Sequence, residues 1–198
     1  MKITISGLPG SGKSTNAKLL AERLGYDRHS SGDFQRAQFK KMGYSYEIYE
    51  EVYQNHPELD FLVDSMIIEY GKDHDDFVFD SWMASYFIQE SFKVFLKADL
   101  NTRALRIFKD TRKERLDVEK QETFEKTRKK IQLRDYENRR RWIELYDFDY
   151  ATEEFYNLVI DTTHLTNEQV IEKIIKGAKL WLSEFNKAYE HINNLPNT

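Results

Sequence analysis

The sequence of 198 residues contains no cysteine, which excludes disulfide frameworks, thiolate catalysis and metal sites built on cysteine. Proline and glycine are scarce, at 3 and 8 residues, and no linker rich in either divides the chain. No apolar run reaches the length of about 18 residues that a membrane span needs, and the amino terminus lacks an apolar segment of signal length. These absences predict one soluble, cytoplasmic domain over residues 1–198 with no membrane partner.

The sequence does contain enough apolar material for a packed core. Hydrophobic residues make up 40% of the chain, with 13 Phe, 12 Tyr and 3 Trp, which excludes disordered and fibrous classes. Lys and Arg number 30 against 34 Asp and Glu, so the formal net charge is −4. Because such a chain is weakly repelled by nucleic acid, no nucleic-acid partner is expected, and any anion must bind at a local site.

Five short apolar or β-branched runs alternate with helical patterns along the chain. The predicted strands cover residues 2–6, 26–30, 77–79, 93–96 and 158–160. This βαβα order favours an α/β fold with a largely parallel sheet. After the fifth strand, Thr166 and Gln169 have the spacing of a capping box, which predicts a final helix that runs into a C-terminal helical extension over residues 176–198.

Two helical insertions lengthen this pattern. The first covers about residues 37–76 and is acidic and rich in tyrosine. The second covers about residues 109–141 and holds 13 Lys and Arg against 8 Asp and Glu. The second insertion is therefore too polar to form part of the core.

A glycine-rich segment lies between the first strand and the first helix. It reads Gly-Leu-Pro-Gly-Ser-Gly-Lys-Ser over residues 7–14 and fits the GxxxxGKS pattern of a P-loop, whose backbone N–H groups surround a polyphosphate at a helix N-terminus. Lys13 is expected to reach the β- and γ-phosphates, and Ser14 to bind Mg²⁺. The alternative is a plain strand-to-helix turn with a surface lysine. The residues expected to bind ATP here are Gly7, Leu8, Pro9, Gly10, Ser11, Gly12, Lys13, Ser14 and Thr15.

A P-loop predicts a nucleotide ligand but does not specify a reaction. The Asp-x-x-Gly and Asn-Lys-x-Asp strings that GTPases need are absent from the sequence, and ATPase machines usually need a longer chain. Two classes therefore remain, a small kinase and a protein that binds a nucleotide without catalysing a reaction.

A second anion site is predicted where the second strand ends and the next helix begins. Residues 30–36 read Ser-Ser-Gly-Asp-Phe-Gln-Arg, which brings Arg36 and Asp33 to the sheet edge that carries the P-loop. The planar guanidinium of Arg36 suits a phosphate, although an arginine in a first helical turn is often only a surface residue.

Acidic residues elsewhere are candidates for metal or acceptor binding. Asp80 ends the apolar strand Phe77-Val78-Phe79, a Walker B pattern, and is expected to bind Mg²⁺ or to orient an acceptor; a simple strand-end cap is the alternative. Asp60 and Asp64 are four residues apart on a predicted helix, where they form either hydrogen-bond acceptors for a ligand or a solvated acidic face.

These motifs together resemble the nucleoside monophosphate kinases, and they are most similar to the cytidylate kinases of the archaeal type. The likeness rests on the P-loop, the Ser-x-Gly-Asp-x-x-Arg element of residues 30–36 and an arginine-rich second insertion. A later signature of the family is matched by Arg134, Arg141-Trp142, Leu145-Tyr146 and Asp149, and a final strand by residues 156–162. The likeness covers roughly residues 1–175.

The resemblance implies a three-layer P-loop NTPase fold with an acceptor-binding insertion and an arginine-rich lid. It implies transfer of a phosphoryl group from ATP, with Mg²⁺, to a nucleoside monophosphate, CMP or dCMP first, by a monomer or homodimer. From this resemblance, the residues expected to contact the transition state are Lys13, Arg106, Arg134 and Arg141. Arg103 is expected to bind ATP, and Arg128 to support these arginines without being one of the main contacts. The residues expected to bind the acceptor are Asp33, Arg36, Asp60, Asp64 and Asp80. The alternative for each lid arginine is an ion pair on a solvated helix.

The sequence departs from the family after Asp80. Cytidylate kinases usually have Gly-Arg there, and this chain has Ser81-Trp82, which leaves the acceptor phosphate one contact fewer. Three alternatives therefore stay open: a kinase for another acceptor such as AMP, UMP or a small metabolite, a regulatory protein that binds ATP without turnover, and a kinase that modifies nucleic acid.

Overall fold

Five parallel strands form the centre of the fold. The computed structural model describes residues 1–43, 56, 58–110 and 123–193. Within them the strands are β1 (Lys2–Gly7), β2 (Asp27–Ser30), β3 (Phe77–Asp80), β4 (Phe92–Lys97) and β5 (Leu158–Asp161). They are hydrogen-bonded in the order β2-β3-β1-β4-β5, and every pair is parallel. All five predicted strands are confirmed.

Seven helices in the described part of the chain surround the sheet. They are α1 (Lys13–Leu24), α2 (Ser31–Lys41), α3 (Glu58–Asp73), α4 (Ala84–Phe87), α5 (Leu100–Phe108), α6 (Phe124–Tyr146) and α7 (Asn167–Asn193). None of these described helices is long and apolar enough to cross a membrane.

The sheet separates two layers of helices because side chains alternate between its faces. Ile3 and Ile5 of β1 pack on one face with residues of α1 and α7, among them Leu20 and Ile174. On the other face, Phe77 and Phe79 of β3 pack against α3 and α4, and Phe95 of β4 packs against Trp142 of α6. The result is the predicted three-layer α/β architecture.

The predicted capping box starts the last helix. Gln169 N donates to Thr166 Oγ1 (3.2 Å), and Thr166 N donates to Gln169 Oε1 (2.9 Å). The helix then continues past Gly177 to Asn193, as the periodicity predicts. Parts of both predicted insertions, residues 44–55, 57 and 111–122, and the end of the extension at residues 194–198 lie outside the described residues.

Candidate functional site

The P-loop lies in close contact with the elements around it. A Cβ added at Gly7, where φ is 147°, would approach Leu96 O to 2.1 Å, and one at Gly10, where φ is 80°, would approach Arg103 O to 2.7 Å. Neither position therefore accepts a side chain without displacing backbone. The loop backbone is held near β4 and α5, and the N-terminus of α1 follows it directly.

The side chain of Lys13 folds back over this loop. Its Nζ donates to the backbone oxygens of Gly7 (2.8 Å) and Leu8 (3.2 Å). An ammonium group in this position lies beside the loop that a polyphosphate would occupy. The contact of Lys13 with the β- and γ-phosphates stays a prediction.

Asp80, at the end of β3, accepts hydrogen bonds from three side chains. Ser14 Oγ (2.8 Å) and Ser30 Oγ (3.2 Å) donate to its Oδ2, and Arg28 donates to its Oδ1 from Nε (3.1 Å) and Nη2 (2.9 Å). Asp80 is buried, and these donors are side chains rather than the backbone N–H groups that a strand-end cap would engage. The Ser14 hydroxyl and the Asp80 carboxylate are oxygen ligands of the kind that Mg²⁺ prefers, so these two residues fit the metal.

Sequence reasoning missed Arg28. The available signal is the alternation of β2, which puts Arg28 on the same face as Ser30, two residues on. The register then pairs Ser30 with Asp80 and brings the guanidinium to that carboxylate. Although burial opposes it, the charges of Asp80 and Asp33 raise the pKa of Arg28.

The predicted second anion site forms a connected group with Arg28. Arg28 Nη1 donates to Asp33 Oδ2 (2.6 Å), and Arg36 Nη2 donates to Asp33 Oδ1. Burial opposes ionisation of Asp33, but the two arginines lower its pKa. Arg36 remains partly exposed, so an incoming phosphate can reach its guanidinium.

Two arginines of α5 hold the P-loop from its other side. Arg103 is buried and donates from Nη1 to Pro9 O (3.3 Å) and from Nε to Ala98 O (3.1 Å). Arg106 donates to Thr162 Oγ1 (2.9 Å) and Thr162 O (2.7 Å), and that hydroxyl donates in turn to Ser11 O (3.0 Å). Both arginines thus support the loop backbone, one directly and one through the end of β5.

The predicted pair Asp60 and Asp64 is buried between α3 and α6, with exposed fractions of 1% and 4%. Tyr146 OH donates to Asp64 Oδ2, and Arg141 Nε lies 3.4 Å from Asp60 Oδ2. The alternative of a solvated acidic face is therefore wrong.

Burial of the two carboxyls perturbs their ionisation. Desolvation raises the pKa of Asp60 to about 6 against the opposing charge of Arg141. Desolvation also raises the pKa of Asp64 to about 7. The hydrogen bond from Tyr146 and the charge of Arg141 oppose this rise, and the charge of Asp60 adds to it. Perturbed carboxyls of this kind are concentrated at functional sites.

Within the described residues, several polar atoms around Asp60 make no hydrogen bond, although Asp60 Oδ2 is ion-paired with Arg141. Across the described ranges, both carboxylate oxygens of Asp60 and Asn138 Nδ2 are buried without a hydrogen bond. Arg141 Nη2 donates to Asn138 Oδ1 (3.0 Å), which places the amide beside the same carboxylate–guanidinium pair. Because a buried polar atom without a partner is costly, the pocket is suited to a polar ligand that supplies both donors and acceptors.

Of the other arginines of α6, Arg134 and Arg128 are predicted site residues and Arg139 is not. The Arg134 guanidinium lies over the Trp82 ring, 5.2 Å from its centroid, on the side of the sheet where Lys13 also approaches that ring. Arg128 lies at the surface, 3.8 Å from Glu125, and Arg139 pairs with Asp149. Arg128 and Arg139 thus form ion pairs on the exposed side of the helix, whereas Arg141 pairs with a buried carboxylate.

The cytidylate kinase-like family matches residues 2–164 of this chain. The chain belongs to that family. It is 34% identical over 181 residues to the cytidylate kinase of Archaeoglobus fulgidus, with 91% of this chain and 96% of the relative covered. It is 31% identical over 174 residues to the cytidylate kinase of Thermoplasma volcanium, with 86% and 87% covered. The cytidylate kinase-like chain is thus an enzyme of the nucleoside monophosphate kinase class, as the motifs predict.

Solved structures with the same fold are more distant in sequence. Shikimate kinase from Acinetobacter baumannii, in complex with shikimate, has a TM-score of 0.56 at 18% identity and covers 92% of this chain and 93% of its own. Deoxyadenosine kinase from M. mycoides with bound dATP has a TM-score of 0.52 at 20% identity and covers 90% and 100%. At these identities the likeness concerns the fold, which is that of the P-loop kinases.

Proposed function

We propose that this enzyme transfers the γ-phosphoryl group of ATP to the phosphate of CMP or dCMP. The observation that carries the proposal is the buried group of Asp60, Asp64 and Arg141 between α3 and α6, on the sheet face that also carries Trp82. Two relatives that bear the name cytidylate kinase, from Archaeoglobus fulgidus and Thermoplasma volcanium, support the same acceptor.

The chemistry of the pocket favours an aminopyrimidine. Cytosine presents an exocyclic amine, which can donate a hydrogen bond to the Asp60 oxygens that accept none from the described residues. Its ring acceptors can face Arg141 and Asn138. Uracil presents a carbonyl oxygen in place of that amine. A carbonyl against a buried carboxylate leaves two acceptors facing each other, which is how such a site rejects the wrong base.

The donor side of the site is the P-loop. Backbone N–H groups of residues 10 and 12–14 and the ammonium of Lys13 would hold the phosphates of ATP, while Arg103 and Arg106 keep the loop in place. Ser14 and Asp80 would hold Mg²⁺, which when bound neutralises charge on the phosphate oxygens.

The reaction needs positioned cations more than a base. An oxygen of the acceptor phosphate forms a bond to the γ-phosphorus, the bond from that phosphorus to the β–γ bridging oxygen breaks, and ADP leaves with the electron pair. The acceptor oxygen is already anionic at neutral pH, so no proton has to be removed. Arg36 would bind the acceptor phosphate, and Arg134 and Arg141 on α6 would approach the transferring group, with the contact of Arg141 at Asp60 exchanged for phosphate.

The direct test is ADP release from ATP and Mg²⁺ with CMP, dCMP, UMP, AMP and GMP as acceptors. Turnover is expected with CMP or dCMP well above the others, and Lys13→Ala is expected to abolish it while leaving the thermal unfolding curve intact. Lys18→Ala is the matched control, because Lys18 is exposed on the same helix. Preferred turnover of UMP or AMP would overturn the acceptor assignment, and ATP binding without turnover would favour a regulatory protein.

A further inference from the structure

The ring of Trp82 is close to one cation of the P-loop and to one cation of α6. The distance from its ring centroid is 5.6 Å to Lys13 Nζ and 5.2 Å to the Arg134 guanidinium carbon. Both distances are within the about 6 Å over which an indole ring attracts a cation. One aromatic side chain thus contacts both the loop that receives ATP and the helix that carries the predicted lid arginines.

The backbone on either side of the ring is held by hydrogen bonds to the centre of the sheet. Ser81 N donates to Ile5 O (3.2 Å), and Ser6 Oγ donates to Trp82 O (3.2 Å). The ring itself packs near Tyr150, with centroids 6.2 Å apart. The indole is therefore anchored to β1, the strand from which the P-loop emerges.

A second observation concerns the indole N–H of Trp82. Trp82 Nε1 is buried and has no hydrogen-bond partner in the part of the chain that the structure describes. A buried tryptophan N–H normally finds an acceptor. A donor without an acceptor, on a ring that two cations approach, is suited to an oxygen of an incoming phosphate.

We propose that Trp82 is a positioning residue of the phosphoryl-transfer site, whose ring holds Lys13 and Arg134 together and whose N–H donates to a phosphate oxygen of the acceptor. Two cations brought close together repel each other, and the negative face of the ring offsets this repulsion before the phosphates arrive. The site is then preorganised, because less rearrangement is left for the moment of transfer. The inference rests on the proposed kinase function.

Two substitutions separate the ring from its N–H. Trp82→Leu removes both, and it is expected to lower kcat about 3- to 30-fold, the factor that corresponds to loss of a cation–π interaction. Trp82→Phe keeps an aromatic face and loses the N–H, so it is expected to recover most of kcat while the KM of the acceptor stays raised several-fold and that of ATP changes little. Trp181→Phe is the matched control, because Trp181 packs on Phe92 from α7.

Tryptophan fluorescence supplies a readout that does not depend on turnover. ATP is expected to bind beside Lys13 and to change the electrostatic environment of the indole, so the emission change on adding ATP should be present in the wild type and in Trp181→Phe, and absent in Trp82→Phe. If the wild type turns over no monophosphate, the proposed function fails, but this fluorescence result still tests the contact between Trp82 and Lys13. Wild-type kcat and acceptor KM in Trp82→Leu, or an unchanged ATP response in Trp82→Phe, would overturn the role of Trp82. Should Trp82→Leu fail to fold, Trp82→Phe alone carries the test.

Discussion

Replacing Asp64 by asparagine should change how the stability of this kinase depends on pH. Burial raises the pKa of Asp64 to about 7 in the folded chain, from an ordinary value of 3.8. The folded state therefore holds a proton that the unfolded state has released at pH values between about 4 and 7. The free energy of unfolding must fall as the pH rises through this window, and the loss is complete above about pH 7.

The size of the effect follows from the shift. A raised pKa of about 3 units, at about 1.4 kcal/mol for each unit, corresponds to about 4 kcal/mol between pH 4 and 8. Asp60 titrates in the same pocket with a pKa of about 6, so the protons of the two carboxyls are coupled, and a smaller value of about 2 kcal/mol is the lower bound expected for Asp64 alone. Asparagine has the same shape and can still accept the Tyr146 hydrogen bond, but it does not titrate.

The assay is urea unfolding followed by circular dichroism at several pH values from 4.5 to 8. The stability of Asp64→Asn relative to the wild type should rise by about 2–4 kcal/mol across this range, because only the wild type loses its proton-linked stability. Titration of groups that do not interact with Asp64 cancels in the difference. Asp73→Asn, at the exposed end of the same helix, is the control and should show a constant difference. A stability difference for Asp64→Asn that is independent of pH, or that falls as the pH rises, would refute the raised pKa of Asp64.

Two further substitutions test the group around Asp33. Arg28→Ala removes the partner of the buried Asp80 and should lower the free energy of unfolding by about 1–3 kcal/mol. Arg28→Lys should recover little of this loss, because an ammonium cannot bridge Asp80 and Asp33. Urea unfolding measures both variants, and unchanged stability would contradict the pairing. Arg36→Ala should raise the KM of the acceptor about 10-fold or more with the KM of ATP nearly unchanged, and steady-state kinetics that located the effect on ATP alone would refute its role.

Features that depend on neighbouring residues could be predicted from the sequence. The P-loop, the five strands and the Thr166–Gln169 cap each arise within a few residues of chain, where backbone freedom and hydrophobic periodicity act directly. The parallel order of the strands followed from their alternation with helices. The same short motifs indicate the family, which is why the sequence alone predicts membership.

Features that depend on distant residues needed the tertiary structure. Arg28 contacts Asp80 across 52 positions, and only the register of β2 against β3 makes that contact. For Asp60 and Asp64 the sequence determined the spacing but left two environments open, a solvated face or a ligand pocket. Tyr146, 82 positions beyond Asp64, decides between them because α6 packs over α3 and excludes water from the carboxyls. Local spacing is determined by covalent geometry, whereas desolvation and pairing of charges are determined by whichever elements the folded chain packs together.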